Sequence, residues 1–223
     1  MVSVQVVTGY VPISGHPRSA VEYGKLGEDI FRPLSAAGVY VRPYYEKLSD
    51  CWLWKYMQSI KTPTTHSAGD NPAKNTLAYH CVQHQKFGWL LKAAIQNPKP
   101  DTLVWIDYGI GHVPGVTAAV ILDFLGKIKD NDFAIPGCWE KQNAFNNDLW
   151  PCWRFCGGVL VVPRPVVHTL YKTVKRSVRE HLIQTKNVTW EVNTLARIEP
   201  ILPHLRWYKA DHNETMFTGY NHV

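Results

Sequence analysis

Residues 103–112 read LVWIDYGIGH: four apolar residues, Leu103, Val104, Trp105 and Ile106, run into Asp107, and a glycine-rich turn closes on His112. An apolar run of this length, bounded by turn signals, is the pattern of a strand buried on both faces. In open α/β sheets the ligand crevice lies beyond the carboxyl ends of such strands. Asp107 is therefore a candidate functional residue by position, although Asp-x-Gly is equally an ordinary turn sequence.

Its neighbours extend the pattern. Upstream, Leu77, Cys81, His84, Phe87, Leu91, Ala94 and Ile95 recur at helical spacing. They predict a helix over 76–96, stopped by Asn97-Pro98-Lys99-Pro100. Residues 2–7 are a β-branched run expected to form a first strand, with Thr8-Gly9-Tyr10 as the turn that closes it and 11–19 as loop. Residues 20–37 carry a helical pattern broken by Gly24, Gly27 and Pro33, and 38–45 (GVYVRPYY) read as a second strand. The stretch KTPTTHSAGDNPAK, 61–74, is the most loop-like in the chain and is either a surface loop or a lid. Downstream come a helix over 117–128, a short strand at 133–135, a buried strand over 157–162, an amphipathic helix over 165–183 and a helix over 189–198. Alternating strands and helices predict one α/β domain spanning 1–223, with a mostly parallel central sheet flanked by helices.

At 45% hydrophobic and 12% aromatic, with nine tryptophans, the composition excludes disorder. A formal charge of +6 and a pI near 9.0 favour anionic partners such as nucleotide phosphates, nucleic acid or an acidic polymer, unless the basic surface is merely solvated. No run approaches the roughly 18 apolar residues of a membrane span, and the opening MVSVQVVTGY lacks the pattern of a signal peptide. A cytoplasmic protein with reduced thiols is expected. Cys138, Cys152 and Cys156 match no common zinc spacing and are expected to be buried free thiols. P-loop, nucleophile-elbow and dinucleotide motifs are missing, which removes several common α/β enzymes.

Each remaining candidate has a structural alternative. Asp107 can ligate Mg²⁺ or Mn²⁺ with phosphate oxygens completing the shell, and Gly109 and Gly111 would let phosphates approach the backbone. Asp211-His212, within WYKADHNETMF at 207–217, offer a carboxylate and an imidazole side by side, or simply a turn pair. Glu191 is either a general base or a first-turn glutamate favoured by the helix dipole. Arg154 precedes Gly157-Gly158 and either addresses a phosphate or acidic group or belongs to a tight turn. His80 and His84 stand at i,i+4 without the glutamate of a zinc protease, and Lys86 on the same helix could reach a diphosphate.

Taken in order, VVTGY, YHCVQHQKFGWLLKAA feeding VWIDYGI, WRFCGGVLVVPR, TWEVNTLARIE and WYKADHNETMF resemble the glycosyltransferases of the GT-A fold. The likeness is to the HtrL/YibB (WlaTC-type) family of sugar transferases, and it covers most of the chain. It implies transfer of a sugar, a hexose, from a nucleotide-sugar, with UDP-sugar as the first candidate, to a hydroxyl of a surface polysaccharide or lipopolysaccharide. It implies that Thr8, Gly9 and Tyr10 line the base, with Arg18 and Lys86 near ribose or phosphate. Asp107 would bind Mn²⁺ or Mg²⁺, with His212 and Asp211 completing the shell. Glu191 would face the acceptor as base, beside Trp153, Arg154, Gly157 and Gly158. The chain departs from the family in having Asp107-Tyr108-Gly109 where the pattern has Asp-x-Asp, which puts metal dependence in question. Two alternatives follow: a DNA glycosyltransferase acting on a hydroxylated base, using the basic cluster at 172–186, and a nucleotide-binding module without turnover. The implied location is cytoplasmic, or peripheral to the inner face of a membrane.

Overall fold

The computed structural model describes residues 2–16, 18–58, 60, 72–144, 147 and 149–220. Most of the 61–74 stretch expected to be loop or lid thus lies outside the described residues. Six strands form one sheet: β1 (Val4–Tyr10), β2 (Tyr40–Tyr45), β3 (Thr102–Ile106), β4 (Ala134–Gly137), β5 (Val159–Pro163) and β6 (Arg206–Lys209), in the order β2-β1-β3-β5-β4-β6. β1 runs parallel to β2 and β3, and β4 parallel to β6, while β5 is antiparallel to both its neighbours. The helices are α1 (Ala20–Ala36), α2 (Trp54–Met57), α3 (Leu77–Gln96), α4 (Ala118–Lys127), α5 (Arg164–Thr185), α6 (Glu191–Ile198) and α7 (Thr215–Thr218).

The period-two alternation of the strands divides the core. Leu103 and Trp105 of β3, with Leu160 and Val162 of β5, face α3, α5 and α6, whereas Val104, Ile106, Val159 and Val161 face α1, α4 and α7. β3 is buried along its whole length, as LVWI predicts. At roughly 1.5–3 kcal/mol for each fully buried aliphatic or aromatic side chain, this two-sided burial is the main term holding the sheet.

Three local readings change. Thr8, Gly9 and Tyr10 continue β1 instead of turning, in register with Pro43, Tyr44 and Tyr45 of β2. Gly9 is needed because a Cβ there would stand 2.4 Å from the Trp89 ring. α1 runs unbroken through Gly24, Gly27 and Pro33; its start is fixed by a capping box in which Ser19 and Glu22 satisfy each other's backbone N–H. Gly27 gives room to the Tyr108 ring, 2.4 Å from where its Cβ would be. β6, unforeseen, is a four-residue edge strand whose tyrosine alone is buried.

Because β5 is antiparallel, its start lies beside the carboxyl ends of β3 and β4. The backbone N–H of Asp107 donates to Gly158 O at 2.9 Å, that of Cys156 to Pro136 O at 2.7 Å, and that of Ala210 to Gly137 O at 2.9 Å. The ends of β1, β3, β4 and β6 and the beginning of β5 therefore meet along one margin of the sheet.

Candidate active site

Two adjoining cavities open along that margin and share Lys74, Tyr79, Gln83, Asp107 and His112. The first is walled by aromatic rings, among them Tyr10, His16, Tyr23, Tyr108, Trp89 and Trp105, and carries Arg18, Lys74 and Lys86. The second, of about 370 Å³, is bounded by Trp153, Gly157, Gly158, Trp190, Glu191 and His212.

Where they join lies a charge triad, buried at Lys86 and Glu191 and half-exposed at Asp107. Lys86 of α3 is 2% exposed, and its Nζ lies 3.1 Å from Glu191 Oε1 and 3.5 Å from Asp107 Oδ1. A third donation, at 2.6 Å, goes to Gly157 O, which accounts for all three ammonium hydrogens. Burial works against the Lys86 charge, but the Asp107 and Glu191 carboxylates outweigh it, so its pKa lies above the ordinary lysine value. Lys86 is thus committed to two carboxylates and a carbonyl, and the expected contact with a diphosphate is replaced by this anchoring role.

The two carboxylates each keep one oxygen free. Asp107 Oδ1 also accepts the Trp105 indole N–H at 2.6 Å, while its Oδ2 has no partner among the described residues. Glu191 begins α6 and is 3% exposed, and its Oε2 is buried with no hydrogen bond among the described residues. A buried carboxylate oxygen left without a donor is costly and is the position where an incoming hydroxyl or water would be held. With one cation against two carboxylates, the triad carries a net formal charge of −1 (+1 − 2). That excess suits a divalent cation. For Mn²⁺ or Mg²⁺ the residues offer Asp107 Oδ2, enough for an ion that takes its remaining ligands from phosphate and water.

The glycines divide by what surrounds them. A Cβ on Gly157 would lie 2.1 Å from Glu191 Oε1, so that glycine makes room for the triad itself. A Cβ on Gly158 would meet nothing nearer than 3.4 Å and would point toward Asp107 Oδ2 at 3.8 Å, so that glycine keeps the cavity open. Of the glycines expected to admit phosphates, Gly109 lines the first cavity, with its Cβ position 2.5 Å from the Tyr23 ring of α1, whereas Gly111 lines neither cavity and faces α1, its Cβ position 3.2 Å from Leu26 O.

Other expected site residues lie elsewhere. Thr8 is fully buried and lines neither cavity. Arg154 is 5% exposed and gives its guanidinium to Glu199, at 2.7–3.2 Å, and to Trp139 O, with the Trp207 ring 4.5 Å away. It is a buried packing cation, paired with Glu199. Asp211 lines neither cavity, and its backbone N–H is bound by Thr215 Oγ1. His212 reaches the second cavity with Trp153 stacked edge-on at 4.4 Å, but its ring is gathered with Cys138 and Cys156. Among the described residues, the expected set of Asp107, Asp211 and His212 is not drawn together in that way.

His80 and His84 belong to the core. His84 Nδ1–H donates to His80 O at 2.9 Å, and its Nε2 accepts from the Thr194 hydroxyl at 3.0 Å. Burial pushes the pKa of His84 down to about 4 and that of His80 to about 3, so both are neutral near pH 7.

Sequence reasoning passed over Lys74, Tyr79, His112 and Trp190. His112 Nδ1–H donates to Gly109 O, and burial lowers its pKa. Burial, with Glu191 and Asp107 close by, holds the Tyr79 phenol protonated. Of these four, only His112 carried a sequence signal: it closes the turn that follows Asp107.

No protein-family model matches the chain, and no curated protein matches it. Among solved structures, it is similar to a glycosyltransferase involved in the glycosylation of the major capsid of PBCV-1. The match has a TM-score of 0.52 and 15% identity, and covers 94% of this chain and 81% of that one. Weaker likenesses are to the glycosyltransferase GlyE of Streptococcus pneumoniae, with a TM-score of 0.40, 10% identity, and 93% of this chain and 45% of that one covered. Another is to 4-diphosphocytidyl-2C-methyl-D-erythritol synthase of Anaerococcus prevotii, with a TM-score of 0.39, 10% identity, and 94% and 90% covered. The first of these shows the fold: a single α/β domain with a mostly parallel six-stranded sheet flanked by helices, similar to the fold of that protein.

Proposed function

We propose that this chain is a glycosyltransferase that moves a sugar from a nucleotide-sugar to a hydroxyl acceptor. The observation that carries this reading is the Lys86–Asp107–Glu191 triad at the junction of an aromatic, cationic cavity and a second cavity with tryptophan walls. The base stacks among Tyr10, Tyr23 and Tyr79, and Arg18 and Lys74 neutralise the diphosphate. A divalent Mn²⁺ or Mg²⁺ at Asp107 Oδ2 would stabilise the charge growing on the leaving diphosphate.

The chain's own groups do the rest. Lys86 fixes both carboxylates, so that each presents one known oxygen. Glu191 Oε2 accepts the hydrogen of the acceptor hydroxyl and, as the glycosidic bond forms, takes its proton. Trp153 and Trp190 give the sugars flat apolar faces, and Gly158 leaves them room beside Asp107. Sugar rings meeting aromatic walls favour a carbohydrate acceptor. A DNA acceptor is less supported, because on α5 Arg176 lies within 4.0 Å of Glu180 and Arg179 covers the Tyr56 ring.

The test is calorimetric titration with UDP, GDP and CMP and their sugars, with Mn²⁺ or with EDTA, followed by donor turnover. One nucleotide should bind with an affinity lowered by Asp107→Ala and by EDTA. Glu191→Gln should bind that donor as the wild type does, yet lose turnover by roughly 10²-fold or more. Binding without hydrolysis or transfer would favour the module without turnover, and no binding of any donor would overturn both readings.

A further inference from the structure

We propose that Cys138, Cys156 and His212 form a second metal site, selective for a thiophilic divalent cation of the zinc type, with one coordination position open to the acceptor-side cavity. One ligand atom from each of the three residues lies within 4.8 Å of the others. The two sulfurs are 3.5 Å apart. Two thiolates bound at about 2.3 Å to a tetrahedral zinc ion would be separated by about 3.8 Å, so a shift of a few tenths of an ångström completes the pair. An imidazole nitrogen with two thiolates is a donor set that suits zinc and leaves Mg²⁺ or Ca²⁺ poorly served.

The ligands come from three segments that the sheet holds in place. Cys138 follows β4, with its N–H on Trp153 O at 3.0 Å, Cys156 precedes β5 with its N–H on Pro136 O, and His212 follows β6 just past the Ala210–Gly137 bond. This explains why no linear zinc motif exists: Cys152, the closer partner in sequence, is instead fixed at its own N–H by Asn193.

Burial falls from one side to the other, with Cys156 fully buried, Cys138 partly buried and His212 exposed. The open side is therefore the side of the second cavity, which His212 lines. Three protein ligands with an exposed fourth position are the arrangement of a zinc ion that can hold water or a substrate oxygen. On binding, both thiols give up their protons to solvent, and no oxidation occurs.

The test is titration of the reduced, metal-stripped full chain with Co²⁺, then Zn²⁺. One Co²⁺ per chain is expected, with tetrahedral visible bands and thiolate-to-cobalt charge transfer, displaced by one equivalent of Zn²⁺. Cys138→Ser should abolish the charge-transfer band, and His212→Ala should weaken binding at least about tenfold. Asp107→Ala should leave the band unchanged, which separates this site from a metal at the diphosphate. Unchanged melting of the variants in EDTA shows that they fold. A wild-type chain without the band overturns the proposal, as does a band that survives Cys138→Ser combined with His212→Ala. So does a reduced chain that forms a Cys138–Cys156 disulfide in air but takes up no metal.

Discussion

The side chain that organises the site is Lys86. Its ammonium is buried against two carboxylates and the Gly157 carbonyl. Removing a buried cation leaves its partners uncompensated, so Lys86→Met should cost about 3–5 kcal/mol in urea unfolding. Combined with Glu191→Gln, part of that loss should return, because one stranded charge disappears; simple additivity in the double-mutant cycle would show that the pair is not coupled. The two adjacent glycines give a second contrast. Gly157→Ala pushes a methyl into Glu191 and should destabilise by about 1–3 kcal/mol. Gly158→Ala has room and should melt near the wild type, yet weaken donor or acceptor binding by narrowing the space at Asp107. Neither difference is legible in GG as sequence. The pair reads as a tight turn or a ligand contact, and only the approach of Glu191 from α6, more than thirty residues away, tells one glycine from the other.

Elements whose signal is periodic were legible, and those that depend on partners were not. β3 and the extent of α3 stand as the apolar pattern predicts, but the buried side of α3 differs from the expected stripe: Ile95 is exposed, and Lys86, Trp89, Leu90 and Ala93 are buried. Gly9 signals a turn by itself; inside β1 it serves Trp89, a contact no local pattern contains. Edge strand β6, with one buried residue in four, lacks a pattern to read. Helix α1 shows how an element reaches the site. Its capping box orders the first turn, and Tyr23 in that turn packs on Gly109 and walls the first cavity. Ser19→Ala should therefore cost about 1 kcal/mol, a fall of about 2–4 °C in melting temperature for a chain of this size. It should also weaken nucleotide binding, because Tyr23 and neighbouring Arg18 lose their fixed approach. A melting shift with unchanged nucleotide affinity would confine the cap to stability.

At the scale of the molecule, the sheet collects what the sequence scatters. The ends of four strands and the start of a fifth meet on one margin, so Asp107, Glu191 and the Cys138–Cys156–His212 group become neighbours along the same edge though far apart in the chain. The opposite side of that design is a core beneath α3 that contains two neutral histidines, and it sets how the whole fold answers to acid. His80 and His84 are depressed to about 3 and about 4 from an ordinary value of 6.5, in both cases by burial first. Above pH 6.5 they are neutral in folded and unfolded chains alike and leave stability unchanged. As pH falls below that value the unfolded chain takes up two protons that the folded chain refuses, so stability declines. At about 1.4 kcal/mol per pH unit for each group, the fall should approach about 2.7 kcal/mol per unit near pH 5. Lys86 adds nothing to this window: its pKa is raised, so its contribution is complete below the ordinary lysine value and is lost only as pH rises through the folded one. Urea unfolding at half-unit steps from pH 7.5 to about pH 5 measures the slope before most carboxylates begin to titrate. His84→Gln removes one proton taken up and should lower the slope by about 1.4 kcal/mol per unit near pH 5, with His16 and His112, also held low by burial, contributing to what remains; an unaltered slope would mean that the acid response does not come from His84.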